Sequence, residues 1–188
     1  MNLKEIKRAL LLLVIFVVLL TVIYPAAVTL VARIAFPNQA NGSLIDQDGK
    51  SVGSSLIGQP FSDPKYFWPR PSATGSTPYD ASASSGSNLG PTNPALLDEV
   101  NGAAQALKDS GVQGDLPMDL VTSSGSGLDP DITLESALVQ APRVAAARNL
   151  PESRVEALIN DHLQERTLGF LGTKRVNVLQ LNLALDKV

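Results

Sequence analysis

The sequence contains no cysteine, which excludes disulfides, thiolate metal sites and cysteine nucleophiles together. Its one histidine, His162, lies among charged residues of a predicted helix, and we interpret it as a solvated surface side chain. A Ser-His-Asp triad would have to use this histidine, yet no Gly-x-Ser-x-Gly motif is present to supply the serine. The chain also lacks a P-loop, a Gly-x-Gly-x-x-Gly motif and a His-Glu-x-x-His zinc motif. Its chemistry therefore falls outside the common motif-bearing enzyme classes.

Basic residues are in the minority over most of the chain. From Pro37 onward there are 11 lysines and arginines against 17 aspartates and glutamates, a net charge of −6. No basic patch interrupts this acidic composition. The sequence therefore argues against a nucleic acid partner.

One long hydrophobic run lies near the N-terminus. Residues 9–32 carry no charge, and a helix of this length spans about 36 Å, enough to cross a bilayer core of about 30 Å. The alternative is a cleaved signal peptide, but its apolar region covers about 7–15 residues and ends in an Ala-x-Ala-like site, which is missing here. We therefore predict a retained transmembrane helix over residues 9–36, with a kink at Pro25.

The charges that flank this run predict its orientation. Three of the four charged residues in segment 1–8 are basic, whereas Arg33 is the only basic residue that closely follows the run. Because positive charge is retained on the cytoplasmic side, residues 1–8 are predicted to be cytoplasmic. Residues 37–188 then form an extracytoplasmic domain.

The sequence of this domain predicts a mixed α/β (α+β) fold. Asp48-Gly49 is a turn signal between two short strands. Asn93 and Pro94 suit the cap and first position of a helix that Gly111 ends. The other predicted elements are a short strand over 117–122, a helix from Leu134 that Thr133 caps and Pro142 interrupts or restarts, an amphipathic helix over 151–167, and a strand leading into a helix over 175–185.

Residues 60–94 contain seven prolines among many serines and glycines. Such a backbone is incompatible with a helix or a central strand, and a flexible linker is one interpretation. However, the segment also contains Tyr66, Phe67, Trp68 and Tyr79, and aromatic residues are scarce in flexible linkers. We therefore predict an ordered loop that packs on the domain or on a partner.

Two weak chemical patterns remain in the domain. Ser62 and Lys65 match the Ser-x-x-Lys pattern of serine acylating enzymes, in which a helix places the lysine one turn after the serine. Pro64 disfavours that helix, so a membrane-anchored extracytoplasmic serine hydrolase is kept only as the alternative function. Asp129 and Asp131 resemble a metal pair, but two carboxylates before a helix more often stabilise its N-terminus.

Several polar motifs occur in one order along the whole chain. They are residues 40–45 (Ala-Asn-Gly-Ser-Leu-Ile), 56–59 (Leu-Ile-Gly-Gln), 70–73 (Arg-Pro-Ser-Ala), 85–94 (Ser-Gly-Ser-Asn-Leu-Gly-Pro-Thr-Asn-Pro), 120–130 (Leu-Val-Thr-Ser-Ser-Gly-Ser-Gly-Leu-Asp-Pro), the stretch from Gln140 to Arg148, and 176–186. With the basic N-terminus and the single apolar helix, they resemble the C subunit of the Kdp-type potassium-transporting ATPase.

This resemblance implies a subunit of a high-affinity, ATP-driven potassium importer in the bacterial inner membrane. Its partners would be a channel-like A subunit, a P-type ATPase B subunit and a small F subunit. The C subunit would be needed for assembly and would act as a catalytic chaperone that raises the ATP affinity of the B subunit. This chain lacks the Asp-Lys-Thr-Gly motif of P-type catalytic subunits, which fits a non-catalytic role. We expect it to bind no cofactor itself, ATP being reached through the complex.

The resemblance also marks candidate site residues. We predict contact with nucleotide or a partner at Ser126 and Gln140, and contact with a partner at Asn88 and Asp129. The alternative is that these polar side chains satisfy turns and caps in a glycine-rich backbone. Many family members carry His-Ile-Ser where this chain has Asp-Ile-Thr from Asp131, so any role of that histidine does not transfer.

The predicted orientation bears on the nucleotide site. The glycine-rich loop within residues 123–140 precedes a helix and in principle suits phosphates. However, ATP is cytoplasmic, and the charge rule places this loop outside. We therefore expect the domain to dock on the outer face of the A subunit near the potassium entrance, where its acidic charge would modestly raise the local cation concentration.

Overall fold

The computed structural model describes residues 2–188 and contains two compact units, one ending at Leu44 and one running from Ile45 to Val188. One long apolar helix dominates the first unit. The second is a mixed domain of helices and small antiparallel sheets. The predicted fold class is therefore confirmed.

The apolar helix consists of α1 (Leu3–Val18) and α2 (Tyr24–Ala35), joined by a π-helical stretch, Leu19–Ile23. This stretch has a local cause, because Pro25 offers no N–H to the preceding turn and its ring crowds the carbonyl four residues earlier. The whole helix, Leu3–Ala35, is long and apolar enough to cross a membrane. A short helix, α3 (Pro37–Ala40), follows it.

Strands β1 (Leu44–Gln47) and β2 (Lys50–Ser54) form the predicted hairpin. Asp48 has a φ of 52° and Gly49 a φ of 75°. Two consecutive positive φ angles are what a two-residue type I′ turn requires, and Asp-Gly supplies them at low cost. This prediction is confirmed.

A second sheet has three short antiparallel strands in the order β3–β5–β4. Ile132 pairs with Val176 across β3 and β5, and Leu163 pairs with Val176 across β4 and β5. Both Ile132 and Val176 are buried and belong to the main core of the domain. The strands are β3 (Asp131–Thr133), β4 (Leu163–Gln164) and β5 (Arg175–Asn177).

Five helices complete the domain. The predicted helix after Asn93 is confirmed, because the Asn93 side chain accepts a hydrogen bond from the N–H of Ala95 at 3.0 Å. The strand that leads into a helix near the C-terminus is confirmed as well. The helices are α4 (Pro94–Asp109), α5 (Met118–Val121), α6 (Leu134–Arg148), α7 (Glu152–Asp161) and α8 (Val178–Leu185).

Three sequence predictions about the elements are wrong. The predicted strand over 117–122 is the one-turn helix α5, whose residue Asp119 bonds to Thr133 instead of pairing in a sheet. Pro142 does not interrupt α6, because buried residues on both sides of it hold the helix in the core at the loss of one backbone hydrogen bond. The predicted helix over 151–167 ends at Asp161, since the chain then turns to pair β4 with β5.

Candidate functional site

The aromatic loop, residues 61–68, is ordered by two side-chain amides. Phe67 donates its N–H to Asn182 Oδ1 at 2.8 Å, and its carbonyl accepts from Asn182 Nδ2 at 3.0 Å. Trp68 makes the same pair of bonds with Gln140, at 2.8 Å and 3.2 Å. Each amide therefore replaces a neighbouring strand and satisfies both backbone groups of one residue. The predicted ordered loop is confirmed, and Phe67 is fully buried.

Arg143 holds the same loop from helix α6. Its Nη2 donates to the carbonyl of Tyr66 at 3.0 Å and to Gln140 Oε1 at 2.8 Å, and its Nη1 donates to the carbonyl of Pro64. The guanidinium also lies over the Trp68 ring, 5.0 Å from its centroid. Burial lowers the pKa of Arg143 to about 10, which leaves it charged at neutral pH. The loop thus rests on a buried cation bound mainly to carbonyl groups.

Arg148 adds a second clamp, nearer the surface. Its Nε donates to the carbonyl of Lys65 at 2.7 Å, and its Nη1 donates to the carbonyl of Leu185 at 2.9 Å. Its Nη2 lies 2.7 Å from Asp186 Oδ1, in an ion pair. The aromatic loop is therefore joined to the C-terminal end of α8 as well as to α6.

Three polar loops beyond the aromatic loop meet in what we call the polar loop cluster, residues 70–74, 84–88 and 123–131. Ser72 Oγ donates to the carbonyl of Gly127 at 2.7 Å and accepts from the N–H of Tyr79 at 2.9 Å. Ser84 Oγ donates to the carbonyl of Ser126 at 3.0 Å. Hydroxyl groups therefore bond these loops together through backbone atoms.

Glycine residues allow the loops of this cluster to approach closely. Gly127 has a φ of 68°, and a Cβ added there would lie 2.5 Å from the carbonyl oxygen of Ser85 and 2.8 Å from the Thr74 methyl group. A Cβ on Gly86 would lie 3.1 Å from the carbonyl oxygen of Gly125. Backbone thus packs on backbone here, which explains the glycine-rich sequence without invoking a phosphate.

A partly buried ion pair lies at one end of the cluster. Arg70 Nη1 is 2.9 Å from Asp129 Oδ2, and Arg70 Nη2 donates to the carbonyl of Ser123 at 3.4 Å. Tyr79 donates its hydroxyl to the carbonyl of Arg70. Burial and, secondly, the charge of Asp129 raise the pKa of Tyr79, so its hydroxyl remains a donor at neutral pH.

The structure brings together three of the four predicted site residues. Asn88, Ser126 and Asp129 all lie in the polar loop cluster, where Asn88 and Ser126 are exposed. Asn88 has a φ of 54° and donates to the carbonyl of Gly86, which is the behaviour of a turn residue. Gln140 lies apart from them in α6, and its exposed fraction is 0%.

A groove of about 380 Å³ runs beside the cluster. Ser72, Ser87 and Ser123 line one side of it, and Leu96 and Glu99 of α4 belong to its other residues. Its mixture of hydroxyl, apolar and carboxylate groups suits contact with another polypeptide better than it suits covalent chemistry.

Comparison with known proteins identifies the family of the chain. The family model described as "KdpC: K+-transporting ATPase, c chain" matches residues 6–187. The potassium-transporting ATPase KdpC subunit of Geobacter sulfurreducens is 56% identical over 184 residues, which cover 97% of each chain. That of Herpetosiphon aurantiacus is 57% identical over 184 residues, which cover 97% of this chain and 95% of the relative. The chain belongs to the KdpC family.

The Ser62 and Lys65 pair of this KdpC-family chain lacks the arrangement that the hydrolase alternative needs. Residues 61–65 are not helical, so the lysine is not placed one turn after the serine. Lys65 Nζ instead lies 3.4 Å from Asp63 Oδ2 and 5.2 Å from the centroid of the Tyr66 ring. An exposed lysine paired with a carboxylate is a poor base for activating a serine.

Sequence reasoning missed the polar partner of the α6 N-terminus. Thr133 caps α6 as predicted, since its Oγ1 accepts from the N–H of Ser136 at 3.2 Å. Asp119 completes the site by accepting from the Thr133 N–H at 2.8 Å and from the hydroxyls of Thr133 and Ser136. No local sequence pattern indicates this contact, because Asp119 lies 14 residues before Thr133.

Asp131 is a partly buried carboxylate for which we make a pH-dependent prediction. Arg175 Nε lies 2.9 Å from its Oδ2, but burial and then the charge of Asp129 dominate and raise its pKa. A carboxyl whose pKa is higher in the folded state binds its proton more tightly when folded, so its ionisation disfavours folding. We therefore expect this ionisation to lower the stability of the wild-type protein as the pH rises through the titration of Asp131, and Asp131→Asn to escape that loss. The unfolding free energy of Asp131→Asn minus that of wild type should thus increase over this pH range. Urea unfolding at stepped pH, followed by Trp68 fluorescence, measures the difference; a pH-independent difference would contradict it.

Proposed function

We propose that this chain is a non-catalytic accessory subunit of an ATP-driven potassium importer, required for assembly with channel-like, ATP-hydrolysing and small membrane subunits. The observation that carries the proposal is the family match over residues 6–187, which includes nearly all of the apolar helix and of the domain. Relatives that match over nearly their full length are named potassium-transporting ATPase KdpC subunits. The chain is thus related along its whole length to subunits of a potassium-transporting ATPase.

The construction of the domain supports a role in protein contact. Many polar side chains of the loops bond to backbone atoms of their own loop or of a neighbouring loop, as Ser72 does to Gly127 and Ser84 does to Ser126. Such bonds fix the shape of a surface but leave few polar groups for a reacting substrate. A rigid polar surface beside a groove is therefore the feature that we assign to a partner subunit, with Asn88, Ser126 and Asp129 at or near the contact.

The same reasoning bears on nucleotide binding. All polar groups of Gln140 are used, by Trp68, Arg143 and the carbonyl of Ser136. Contact of Gln140 with ATP would require breaking this set of bonds inside the core, which costs about 1–3 kcal/mol for each group left unsatisfied. We infer that an effect on the ATP affinity of the catalytic subunit acts through subunit contacts. Competable labelling of this chain by a photoreactive ATP analogue in the intact complex would refute this inference.

The proposed orientation places the N-terminus in the cytoplasm and the domain in the periplasm. Because the native chain has no cysteine, a single cysteine can report on each side of the membrane. We expect Asn101→Cys, on an exposed position of α4, to react with a membrane-impermeant maleimide in spheroplasts. Leu3→Cys is expected to react only after lysis. The reverse pattern would overturn the orientation and reopen the cytoplasmic nucleotide site.

Co-purification tests the function itself. We expect the full chain, tagged after Val188 and solubilised from potassium-starved cells in mild detergent, to recover a P-type ATPase and a channel-like protein in fixed proportion. Potassium-stimulated ATPase activity, measured in the membranes before purification, should be lost when the chain is deleted and unchanged in Ser62→Ala. Recovery of the chain alone would contradict the proposal, and loss of a hydrolase activity in Ser62→Ala would favour the alternative.

A further inference from the structure

The chain between β4 and β5 exposes a compact apolar surface, which we call the apolar tip, residues 167–172. The exposed fractions are 79% for Leu168, 69% for Phe170 and 50% for Leu171. The tip is an ordered turn, because Thr167 and Leu171 exchange two backbone hydrogen bonds of 2.9 Å. Three large apolar side chains are thus held together in water by a closed backbone, and this calls for an explanation beyond the fold of the domain.

The turn of the tip has a leucine at a position that usually has asparagine, aspartate or glycine. Leu168 has a φ of 55°, in the left-handed region that a leucine rarely adopts, and Gly169 follows with a φ of 82°. Strain of this kind persists where the surrounding structure or a function requires it. The turn closed by Thr167 and Phe170 requires the two positive φ angles but not a leucine, and because the Leu168 side chain is 79% exposed, packing within the domain does not account for the leucine either.

The charge around the tip has the opposite sign to that of the domain. Arg166, Lys174 and Arg175 flank it against the single Glu165, although the residues from Pro37 onward carry a net charge of −6. Lys174 pairs with Glu165 at 2.8 Å at the surface, and Arg175 with Asp131 at 2.9 Å. Among residues 2–188, Arg166 has no ion pair within 4.0 Å and is exposed. Apolar side chains with a basic flank are complementary to an anionic lipid surface.

A short segment connects the apolar helix to the domain. Nine residues separate Ala35, the last residue of α2, from Ile45, so the domain is attached to its helix by a segment of at most about 30 Å. The tip leads into β5, whose last residue, Asn177, donates to the carbonyl of Ser55 at 3.0 Å. This bond joins the far end of β5, the strand that follows the tip, to the residue that follows β2.

We propose that the apolar tip inserts into the interfacial region of the bilayer, with Leu168, Phe170 and Leu171 among the upper acyl chains and Arg166 at the anionic headgroups. The tip is then a second, peripheral membrane contact of the chain. This proposal rests on the membrane anchoring proposed above. Insertion of the tip would explain both the basic residues around it and the exposed leucine in its turn.

Lipid quenching of a tryptophan tests the proposal on the full chain. The Phe170→Trp variant is reconstituted into vesicles of phosphatidylglycerol and phosphatidylcholine whose acyl chains are brominated near the headgroup. The emission of the native Trp68, measured on wild-type protein, is subtracted. We expect a blue-shifted emission that these lipids quench at least about twofold more strongly than the emission of Met118→Trp. Met118 is a matched control, since it is 76% exposed at a different site of the domain.

A third variant distinguishes a tip that does not insert into lipid from an apolar helix that does not span the membrane. Phe16→Trp lies in α1 and is expected to be quenched in the same vesicles. If Phe16→Trp is quenched and Phe170→Trp is not, the tip does not enter lipid and the proposal is overturned. If Phe170→Trp is protected only after the other pump subunits are added, the tip docks on protein, which also overturns it. Failure to quench Phe16→Trp would refute the anchor and, with it, the tip.

Discussion

Replacing Asn182 by Leu is expected to lower the free energy of unfolding of the domain by about 2–5 kcal/mol. The substitution removes both hydrogen-bond partners of Phe67 and leaves its N–H and carbonyl buried without a substitute. Each buried group left unsatisfied costs about 1–3 kcal/mol, whereas leucine is close to asparagine in size and opens little cavity. Trp68, the only tryptophan, lies next to Phe67 and reports the transition directly. Urea unfolding of the full chain in mild detergent, followed by Trp68 fluorescence, is the measurement.

Asn160→Leu is the matched control for this variant. Asn160 is also a helical asparagine and also donates to a carbonyl, that of Glu156 at 2.9 Å, but it is exposed to water. Its replacement is expected to change the unfolding free energy by less than about 0.5 kcal/mol. Equal effects of the two substitutions would show that the amide does not hold the aromatic loop. We also expect Asn182→Leu to reduce recovery of the assembled pump, since the aromatic loop leads directly into the polar loop cluster.

Replacing Gly127 by Ala is expected to destabilise the polar loop cluster by about 2–4 kcal/mol. Alanine at a φ of 68° is strained, and its Cβ would lie 2.5 Å from a backbone oxygen of Ser85, which cannot move away as a flexible side chain would. The loops around residues 85 and 127 must therefore separate. If this cluster contacts a partner subunit, detergent-stable assembly of the pump is expected to fall several-fold while the apolar helix still inserts into the membrane.

Gly125→Ala is the control for Gly127→Ala within the same loop. A Cβ on Gly125 meets no atom within 4 Å, and the φ of Gly125 is not positive. We expect its stability and its recovery with partner subunits to match wild type. Equal loss of assembly in both variants would mean that any added methyl group disturbs the contact. Unchanged assembly in Gly127→Ala, despite reduced stability, would place the partner surface elsewhere on the domain.

The elements that sequence reasoning located correctly are those with local causes. Asp48 and Gly49 adopt positive φ angles on their own preference, so the hairpin follows from two residues. Asn93 caps α4 through Ala95, two residues later, and Gly111 follows the helix with a φ of 101°. The aromatic residues of segment 60–94 also predicted order, because burying them provides the free energy that fixes a proline-rich chain.

The incorrect predictions concern elements whose causes are distant in sequence. Residues 118–121 form helix α5 beside the edge strand β3, and the Asp119 side chain, in place of a strand backbone, accepts from the N–H of Thr133. Pro142 remains within α6 because core packing on both sides offsets one missing backbone bond. For Gln140, contact with a nucleotide or a partner stays a prediction; the structure places its amide at the backbone of Trp68, 72 residues earlier, which no local pattern indicated. A local pattern of residue types does not show which distant residue will be the hydrogen-bond partner.

The sequence by itself determined the apolar helix, the acidic composition of the domain, the absence of cysteine chemistry and the family. These are properties of composition and of motifs, which do not depend on how distant segments meet. Tertiary structure alone decided that Asn182 and Gln140 act as strand substitutes, that Gly127 lies against Ser85, and that the apolar tip remains uncovered. Each of these is a contact or a failed contact between segments far apart in the chain. Only the simultaneous packing of all segments determines which polar group is satisfied and which apolar side chain is left in water.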